Sequence, residues 1–150
     1  MEFTEHAIPF GDVTLAAWLY RPANTDQDVP CVVLGHGFSL TRHEGLAIFA
    51  EAFAEAGVAA LVLDWRYLGD SGGEPRQRIR LSEQRADRAA AVAWARQQDG
   101  IDPERIVLWG YSMSGGHAVQ SAVADGHVAA LLLLCPFLDG LDRTLRTPPK

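Results

Sequence analysis

Apolar and polar side chains roughly alternate in two stretches within the first twenty residues, which is the pattern of β-strands. The alternation runs from Phe3 to Ile8 and resumes from Val13 to Tyr20. Between the two stretches lies Pro9-Phe10-Gly11-Asp12, a sequence typical of turns. The pattern therefore predicts an antiparallel hairpin at the start of the chain.

After the hairpin, the apolar positions become nearly continuous in four short runs. Such runs are typical of strands that are covered on both faces, as in parallel sheets. The runs are Cys31 to Leu34, Val58 to Leu63, Ile106 to Trp109 and Val128 to Leu134. Together with the hairpin they predict a sheet of about six strands.

Segments with helical spacing separate these runs. Leu46, Phe49, Ala50 and Phe53 recur at i, i+3, i+4 and i+7, and Gly57 follows as a helix stop.

The second helical segment is rich in alanine and ends before Asp99-Gly100. Its predicted buried face consists of Ala86, Ala89, Ala90, Ala93 and Trp94. The charged residues are expected largely elsewhere on the helix, with Asp87 on its surface; they are Glu83, Asp87, Arg88 and Arg96. A third, shorter helix is predicted from about Ser114 to Ala124.

Strand and helix thus alternate over at least three units, which predicts one doubly wound α/β domain over residues 1–150. Its sheet is expected to be mostly parallel, with right-handed crossovers. The loop from Leu68 to Arg80 follows the carboxyl end of a strand, where ligand sites of open α/β sheets collect. We expect Asp64 and Asp70 to support the loops at this edge.

Charge and composition exclude several classes of partner. The formal net charge is −6, whereas nucleic-acid binding depends on clustered lysine and arginine. Arg76, Arg78 and Arg80 form a small basic cluster, either a solvated loop or an anion contact. The N-terminus does not have the pattern of a signal peptide, and the apolar run from Val128 to Leu138 is too short to span a bilayer. We expect no nucleic-acid and no membrane partner.

Cysteine usage and the absence of ligand motifs bear on cofactors and compartment. Cys31 and Cys135 each lie in an apolar run, which suits buried reduced thiols better than a disulfide or a metal site. The sequence has no metal-ligand cluster, phosphate-binding glycine-rich loop or dinucleotide fingerprint. We therefore expect no metal, no cofactor and a cytoplasmic location.

The strongest local signal for chemistry follows the strand that begins at Ile106. There an apolar run meets Gly110-Tyr111-Ser112-Met113-Ser114-Gly115-Gly116, which is the pattern of a nucleophile elbow. A nucleophile at the tip of such a turn adopts a strained conformation, so its neighbours two positions away must be small. Gly110 and Ser114 meet that requirement around Ser112.

Two other interpretations of these residues remain open. In one, Ser114 is the nucleophile, with Ser112 and Gly116 as its small neighbours. In the other, Ser112 is a turn serine that caps the helix. The distance from the strand end favours Ser112 as the nucleophile.

A second signal is Gly35-His36-Gly37-Phe38, directly after the strand that ends at Leu34. The glycines allow this loop to curl towards the elbow. The backbone N–H of Phe38 would then join that of Met113 in an oxyanion hole, where each donor contributes on the order of 3 kcal/mol to the transition state. His36 is interpreted as a residue that braces the loop, and it is also a candidate for the substrate pocket.

With its hairpin, His-Gly loop and elbow in this order, the chain resembles the first half or more of an α/β-hydrolase. It is most similar to the dienelactone-hydrolase and peptidase S15-like branches. The segment from Asp64 to Ser71 also resembles that family's Asp-x-Arg-Gly-x-Gly-x-Ser loop, with Tyr67 in place of the first glycine. The resemblance implies an incomplete α/β-hydrolase fold over the N-terminal portion of such a protein.

The resemblance also implies a function. It makes Ser112 the nucleophile and the amides of Phe38 and Met113 the oxyanion donors of an esterase, thioesterase or peptidase. The substrate would be a small-molecule ester, thioester or amide. Trp65 and Tyr67 are further pocket candidates, although they and Phe38 could equally pack beneath the loops.

The histidine of a catalytic triad is the part that the sequence lacks. In this family the acid and then the histidine follow the nucleophile, and the only downstream histidines are His117 and His127. His117 lies in the predicted helix, directed away from the serine, and His127 precedes a strand at the opposite end of the sheet. Asp139 is a candidate acid, with a turn aspartate as the alternative.

Three hypotheses about the whole chain follow. It is a serine hydrolase acting through Ser112, or a truncated or inactive hydrolase without the triad histidine, or a non-catalytic binding module on the same fold. If the chain stops before the last strands, the run from Val128 to Leu134 would form an exposed apolar edge that favours self-association.

Overall fold

The structure, a computed structural model, describes residues 3–23 and 25–140. Six strands form a single sheet over these residues: β1 (Phe3–Phe10), β2 (Val13–Tyr20), β3 (Val29–Gly35), β4 (Ala59–Leu63), β5 (Ile101–Tyr111) and β6 (Ala130–Leu134). Three helices accompany them in the described part: α1 (Ala47–Glu55), α2 (Leu81–Ala95) and α3 (Met113–Asp125). The strand order across the sheet is β1-β2-β4-β3-β5-β6.

The predicted hairpin is confirmed. β1 pairs antiparallel with β2, from Phe3 opposite Tyr20 to Phe10 opposite Val13. Gly11 lies in the turn with a φ of 62°, a left-handed conformation that glycine adopts without steric cost. β2 also pairs antiparallel with β4, whereas β4, β3, β5 and β6 are mutually parallel. The sheet is therefore mostly parallel, as expected.

The two faces of the sheet carry separate hydrophobic clusters. Val32 and Leu34 pack with α1 residues such as Ala50 on one face. Cys31 and Val33 pack on the other face, in the cluster to which α2 and α3 contribute. Each fully buried aliphatic side chain of this kind stabilises the fold by about 1.5–3 kcal/mol. Helices on both faces confirm the doubly wound arrangement.

The predicted buried face of α2 is only partly correct, because Ala90 and Trp94 pack against the core but other predicted positions do not. Ala89 and Ala93 are exposed, and the buried residues are Gln84, Asp87, Arg88, Ala91, Val92 and Ala95. Asp87 is completely buried because Arg66 pairs with it, its guanidinium Nη2 lying 2.6 Å from the carboxylate. A polar side chain is buried at low cost only when it has hydrogen-bond or ionic partners. The polar residues on the buried face of α2 find such partners in other elements.

The two cysteines differ in their environments. Cys31 is buried in β3, as predicted, and burial raises the pKa of its thiol to about 12. Cys135 is exposed, contrary to prediction, because it follows the end of β6 at a φ of 45° and lies outside the packed sheet.

β6 forms an edge of the sheet within the described residues, because β5 is its only paired neighbour there. Its apolar side chains are partly exposed, and Leu132 is 40% exposed. An apolar edge is a template for pairing with another chain. Self-association through this edge remains a prediction.

No helix in residues 3–23 and 25–140 is both long enough and apolar enough to cross a membrane.

Candidate active site

Ser112 joins β5 to α3 in a strained backbone conformation. Its φ of 54° and ψ of −117° lie outside the regions that residues with a side chain normally occupy. Such a conformation costs about 1–3 kcal/mol and persists only where the surroundings hold it. Here the Ser112 N–H donates to the Leu134 carbonyl at 2.9 Å, and the Ser112 carbonyl accepts from the Phe137 N–H at 2.9 Å. The end of β6 and the segment after it thus support the turn.

Gly110 is required at the start of the turn. A Cβ at this position would overlap the carbonyl oxygen of Ser114 and lie 2.6 Å from the Gly115 Cα. These are backbone atoms, which cannot move aside as a flexible side chain does. The close approach of strand and helix matches the geometry that the spacing predicts for an elbow.

The hydroxyls of Ser112 and Ser114 have different environments. Ser114 is fully buried, and its Oγ donates to the Gly35 carbonyl at 2.5 Å and accepts from the Tyr111 N–H at 3.1 Å. A hydroxyl held on both sides in this way is not free to attack a substrate. Ser112 is only half-buried and makes no side-chain capping bond to α3. The geometry therefore favours Ser112 as the nucleophile, both over Ser114 and over the interpretation of Ser112 as a serine that caps the helix.

The loop after β3 lies directly against the elbow. A Cβ on Gly37 would contact the Tyr111 ring at 3.0 Å, so the absence of a side chain allows the two segments to meet. Met113 is the first residue of α3, where backbone N–H groups have no acceptor in a preceding turn and the helix dipole is positive. Phe38, Ser112 and Met113 line the same cavity. The structure therefore brings the predicted nucleophile and both predicted oxyanion donors together.

This cavity, which we call the elbow cavity, has a volume of about 600 Å³. Most of the residues that line it are apolar or uncharged. The lining residues are Phe38, Leu81, Arg85, Ser112, Met113, Gly116, His117, Gln120, Phe137, Leu138 and Gly140.

Two of the three pocket candidates lie beneath the loops. His36 and Trp65 are buried, with their ring centroids 5.5 Å apart, and neither is among the residues that line the elbow cavity. Tyr67 lines a neighbouring cavity of about 520 Å³, which Phe38 also borders. The exposed Phe38 ring thus stands between two cavities at the carboxyl edge of the sheet.

His36 has the surroundings of a bracing residue. Its Nδ1 lies 3.0 Å from the Gly37 carbonyl oxygen, so this nitrogen carries the proton and donates. Burial lowers the pKa of His36, with the Gly37 bond opposing that shift. The other ring nitrogen has no hydrogen-bond partner among the described residues.

Tyr67, which stands where the family's loop has its first glycine, adopts a left-handed backbone conformation. Its φ is 70°, which is uncommon for a residue with a large side chain. The Tyr67 N–H donates to the Gly72 carbonyl at 2.9 Å, and the Arg78 guanidinium stacks 5.2 Å from its ring. The loop keeps a defined turn although the glycine is replaced.

Asp64 organises the neighbouring loops, as predicted. It is fully buried, pairs with the Arg42 guanidinium, and accepts hydrogen bonds from the N–H groups of Arg42 at 2.6 Å and Asp70 at 3.0 Å. Gly69 lies so close that any Cβ there would overlap the carboxylate. Asp70 in turn pairs with Arg42 at 2.8 Å.

Arg88 is a structural residue that the sequence interpretation missed. It is completely buried in α2, and its guanidinium donates to the carbonyls of Trp109 at 3.2 Å and Ser114 at 3.3 Å. It also stacks 5.1 Å from the Trp65 ring. Burial lowers the pKa of Arg88 to about 9, so the side chain remains a cation at neutral pH. No feature of the alanine-rich segment distinguishes it from a surface arginine.

Neither downstream histidine bonds the Ser112 hydroxyl in the described part of the chain. The His117 Nε2 donates to the Gln84 side-chain oxygen at 3.1 Å, and burial, with Arg88 and Arg85 nearby, lowers its pKa to about 4. No histidine in residues 3–23 and 25–140 hydrogen-bonds the Ser112 hydroxyl. His127 precedes β6 and lies at the amino ends of the parallel strands, opposite Ser112. Asp139 is exposed in the segment after β6, at the same carboxyl end of the sheet as Ser112. The same residues contain no group of three or more side chains that could hold a metal ion.

Comparisons with known proteins show the family to which the chain is related. Residues 11–147 match the family model described as X-Pro dipeptidyl-peptidase (S15 family). The quorum-quenching protein AidA of Acinetobacter baumannii is 45% identical over 138 residues, which are 92% of this chain and 45% of that protein. Thiohydrolase aneE of Aspergillus aculeatus is 38% identical over 119 residues, which are 79% of this chain and 37% of that protein.

A solved structure supports the predicted fold. The crystal structure of the α/β hydrolase GrgF from Penicillium sp. sh18 is 28% identical and matches with a TM-score of 0.82, over 96% of this chain and 50% of that chain. This likeness confirms the predicted α/β-hydrolase fold. The chain spans about half the length of the curated relatives it matches.

Proposed function

The chain belongs to the X-Pro dipeptidyl-peptidase (S15) family, and from this premise we propose that it is a serine hydrolase with Ser112 as its nucleophile. Its substrate would be a small-molecule ester, thioester or amide. The observation that carries the proposal is the strained φ of 54° at Ser112. Ser112 lines the elbow cavity, and its hydroxyl does not cap α3.

The proposed reaction proceeds through an acyl-enzyme. The Ser112 Oγ forms a bond to the substrate carbonyl carbon while its proton passes to a general base. The carbonyl oxygen becomes negatively charged and accepts hydrogen bonds from the N–H groups of Phe38 and Met113. The intermediate then collapses, and the alcohol, thiol or amine leaves with a proton. Water attacks the acyl-serine in the same manner and releases the acid.

The general base in this proposal is a group other than His117 or His127. His117 donates its Nε2 proton to Gln84, and its lowered pKa keeps the ring neutral at physiological pH. His127 lies at the amino ends of the parallel strands, whereas Ser112 lies at their carboxyl ends. Asp139 remains the proposed acid, because it follows β6 and therefore lies at the same carboxyl end of the sheet as Ser112.

Labelling with a fluorophosphonate probe tests the nucleophile. We expect the unmodified chain to be labelled and Ser112→Ala to lose about a thousandfold or more in labelling rate, because such probes react with activated serines. Ser82→Ala is the matched control, since Ser82 is exposed at the start of α2 and does not line the elbow cavity. Equal labelling of the unmodified chain and Ser112→Ala would refute the assignment.

A non-catalytic binding module is the second candidate function. It is favoured by one observation, that no histidine of the described residues bonds the Ser112 hydroxyl. In that case esters would bind in the elbow cavity, as measured by calorimetry, while neither turnover nor probe labelling would occur.

We also propose a cytoplasmic location. Cys31 and Cys135 are both free thiols, which is the usual state of cysteines in a reducing compartment.

A further inference from the structure

The elbow cavity contains one positive charge in an otherwise uncharged lining. Its walls are formed by apolar side chains: Phe38, Leu81, Met113, Phe137 and Leu138. Among its described lining residues, Arg85 alone carries a charge at neutral pH, because the lowered pKa of His117 keeps that ring neutral. An isolated charge in an apolar cavity is a candidate for ligand recognition.

Arg85 also differs from the other arginines of residues 3–23 and 25–140 in its partners. Ion pairs with carboxylates hold Arg42, Arg66, Arg78, Arg80, Arg96 and Arg105. Backbone carbonyls accept hydrogen bonds from Arg21, Arg76 and Arg88. The Arg85 Nη1 donates to the neutral side-chain oxygen of Gln120. No carboxylate of the described residues pairs with Arg85, although the chain carries a net charge of −6.

The position of Arg85 relative to Ser112 follows from α3. Met113, Gly116, His117 and Gln120 recur at i, i+3, i+4 and i+7, and all of them line the elbow cavity. The cavity therefore follows one face of the helix. Gln120 lies eight residues beyond Ser112, which corresponds to about 12 Å along the helix axis. The Arg85 guanidinium, which bonds Gln120, is thus held about two helical turns along α3 from the serine.

We propose that Arg85, oriented by Gln120, binds a carboxylate at the far end of the acyl group of the substrate. The apolar part of the acyl chain would lie against Leu81, Phe137 and Leu138. The N–H groups of Arg85 that do not bond Gln120 can form a paired hydrogen bond with a carboxylate. The preferred substrates are then esters or thioesters of medium-chain acids that end in a second carboxylate. This substrate class rests on the proposed function, whereas the binding site itself does not.

Binding to a variant without the serine hydroxyl tests the site separately from catalysis. We would measure the affinity of Ser112→Ala for monomethyl suberate and for methyl octanoate by calorimetry. The two ligands have acyl chains of equal length, and only the first ends in a carboxylate. Because hydrogen bonds to charged groups are the strong ones, we expect monomethyl suberate to bind about tenfold to a hundredfold more tightly.

Second substitutions in the same background identify the residue responsible. Arg85→Gln should abolish the preference, and Arg85→Lys should keep part of it, since a point charge remains without the planar fork. Arg80→Gln is the matched control because Arg80 is exposed at the start of the same helix, and it should keep the full preference. Equal affinity for the two ligands, or a preference that survives Arg85→Gln, would overturn the proposal.

Turnover separates this proposal from the proposed function. With intact Ser112, the ratio of kcat/KM for the mono-p-nitrophenyl ester of suberate to that for p-nitrophenyl octanoate should exceed about ten and should fall to near one in Arg85→Gln. Carboxylate-dependent binding without any turnover would refute the hydrolase and retain the Arg85 site. Ser112-dependent turnover with no difference between the two esters would refute the Arg85 site and retain the hydrolase.

Discussion

The elbow has two sides with opposite properties. Its outer side consists of Ser112, Phe38, Met113 and the elbow cavity, where the serine is half-buried and its hydroxyl makes no capping bond. Its inner side consists of Gly35, Arg88 and Ser114, where donors and acceptors are paired across three elements. The strained backbone of Ser112 is held by its hydrogen bonds to Leu134 and Phe137, and Gly110 allows α3 to approach β5 closely. The strained conformation of this half-buried serine therefore depends on backbone contacts with neighbouring segments.

The largest effect is expected from filling the space between the two sides. Gly110→Val should lower the free energy of unfolding by more than about 4 kcal/mol, since its side chain would overlap the backbone of α3. Gly45→Ala is the control, because Gly45 has a φ of 82° with no atom within 4 Å of an added Cβ, and only strain of about 1 kcal/mol is expected. Urea unfolding measures both, and equal losses would contradict the packing argument.

Acid should destabilise the fold through His117, which is buried beside the elbow cavity. Its pKa is about 4 in the folded chain against an ordinary value of 6.5, so the unfolded chain binds more protons between these values and stability falls as the pH is lowered from 6.5 to 4. The loss amounts to about 3 kcal/mol.

His117→Gln tests the source of this pH dependence. The variant should flatten the stability curve over that interval in urea unfolding, although the buried His36 contributes a slope of the same sign. An unchanged slope in His117→Gln would show that the titration arises elsewhere.

Ser114→Ala should be the next largest change. It removes the hydroxyl that bridges Gly35 and Tyr111 and leaves buried backbone groups unpaired, at a cost of about 2 kcal/mol. Ser121→Ala is the control on the same helix, because the Ser121 Oγ is buried without a partner among the described residues. Thermal unfolding should give a lower Tm for Ser114→Ala than for Ser121→Ala. A Ser114→Ala variant as stable as the unmodified chain would contradict the distinction between the outer and inner sides of the elbow.

The smallest effect should have the opposite sign. Ser112→Gly should raise the free energy of unfolding by about 1 kcal/mol, since glycine adopts positive φ without steric cost. Ser112→Ala retains a Cβ and should show no such gain. Chemical unfolding of both variants measures the difference, and a destabilised Ser112→Gly would mean that the turn stores no strain.

The elements that were predicted correctly depend on local sequence pattern. The hairpin, the parallel strands and the bounds of α3 follow from periodicity and from turn residues, which act over a few positions. The elbow could be located for the same reason, because small residues on both sides of Ser112 are a local steric requirement. The convergence of the Gly35–Phe38 loop on that elbow followed from sheet topology, since parallel strands end at one edge.

The errors arose where a residue's environment is set by distant partners. Asp87 was expected at the surface, yet its partner Arg66 lies in a loop that precedes the helix by many residues. Trp65, weighed as a pocket residue, is covered by His36, His117 and Arg88, which come from three different segments. Cys135 lies in an apolar run but just past the last paired residue of β6.

The sequence by itself determined the order of strands and helices and the turn at which Ser112 lies, because both depend on spacing within short segments. Tertiary structure decided which polar groups are buried, since that depends on partners brought together from separate elements. It also decided that Ser114 is held on both sides while Ser112 faces the elbow cavity. Two serines in nearly identical sequence surroundings differ because the backbone of β3 reaches only one of them.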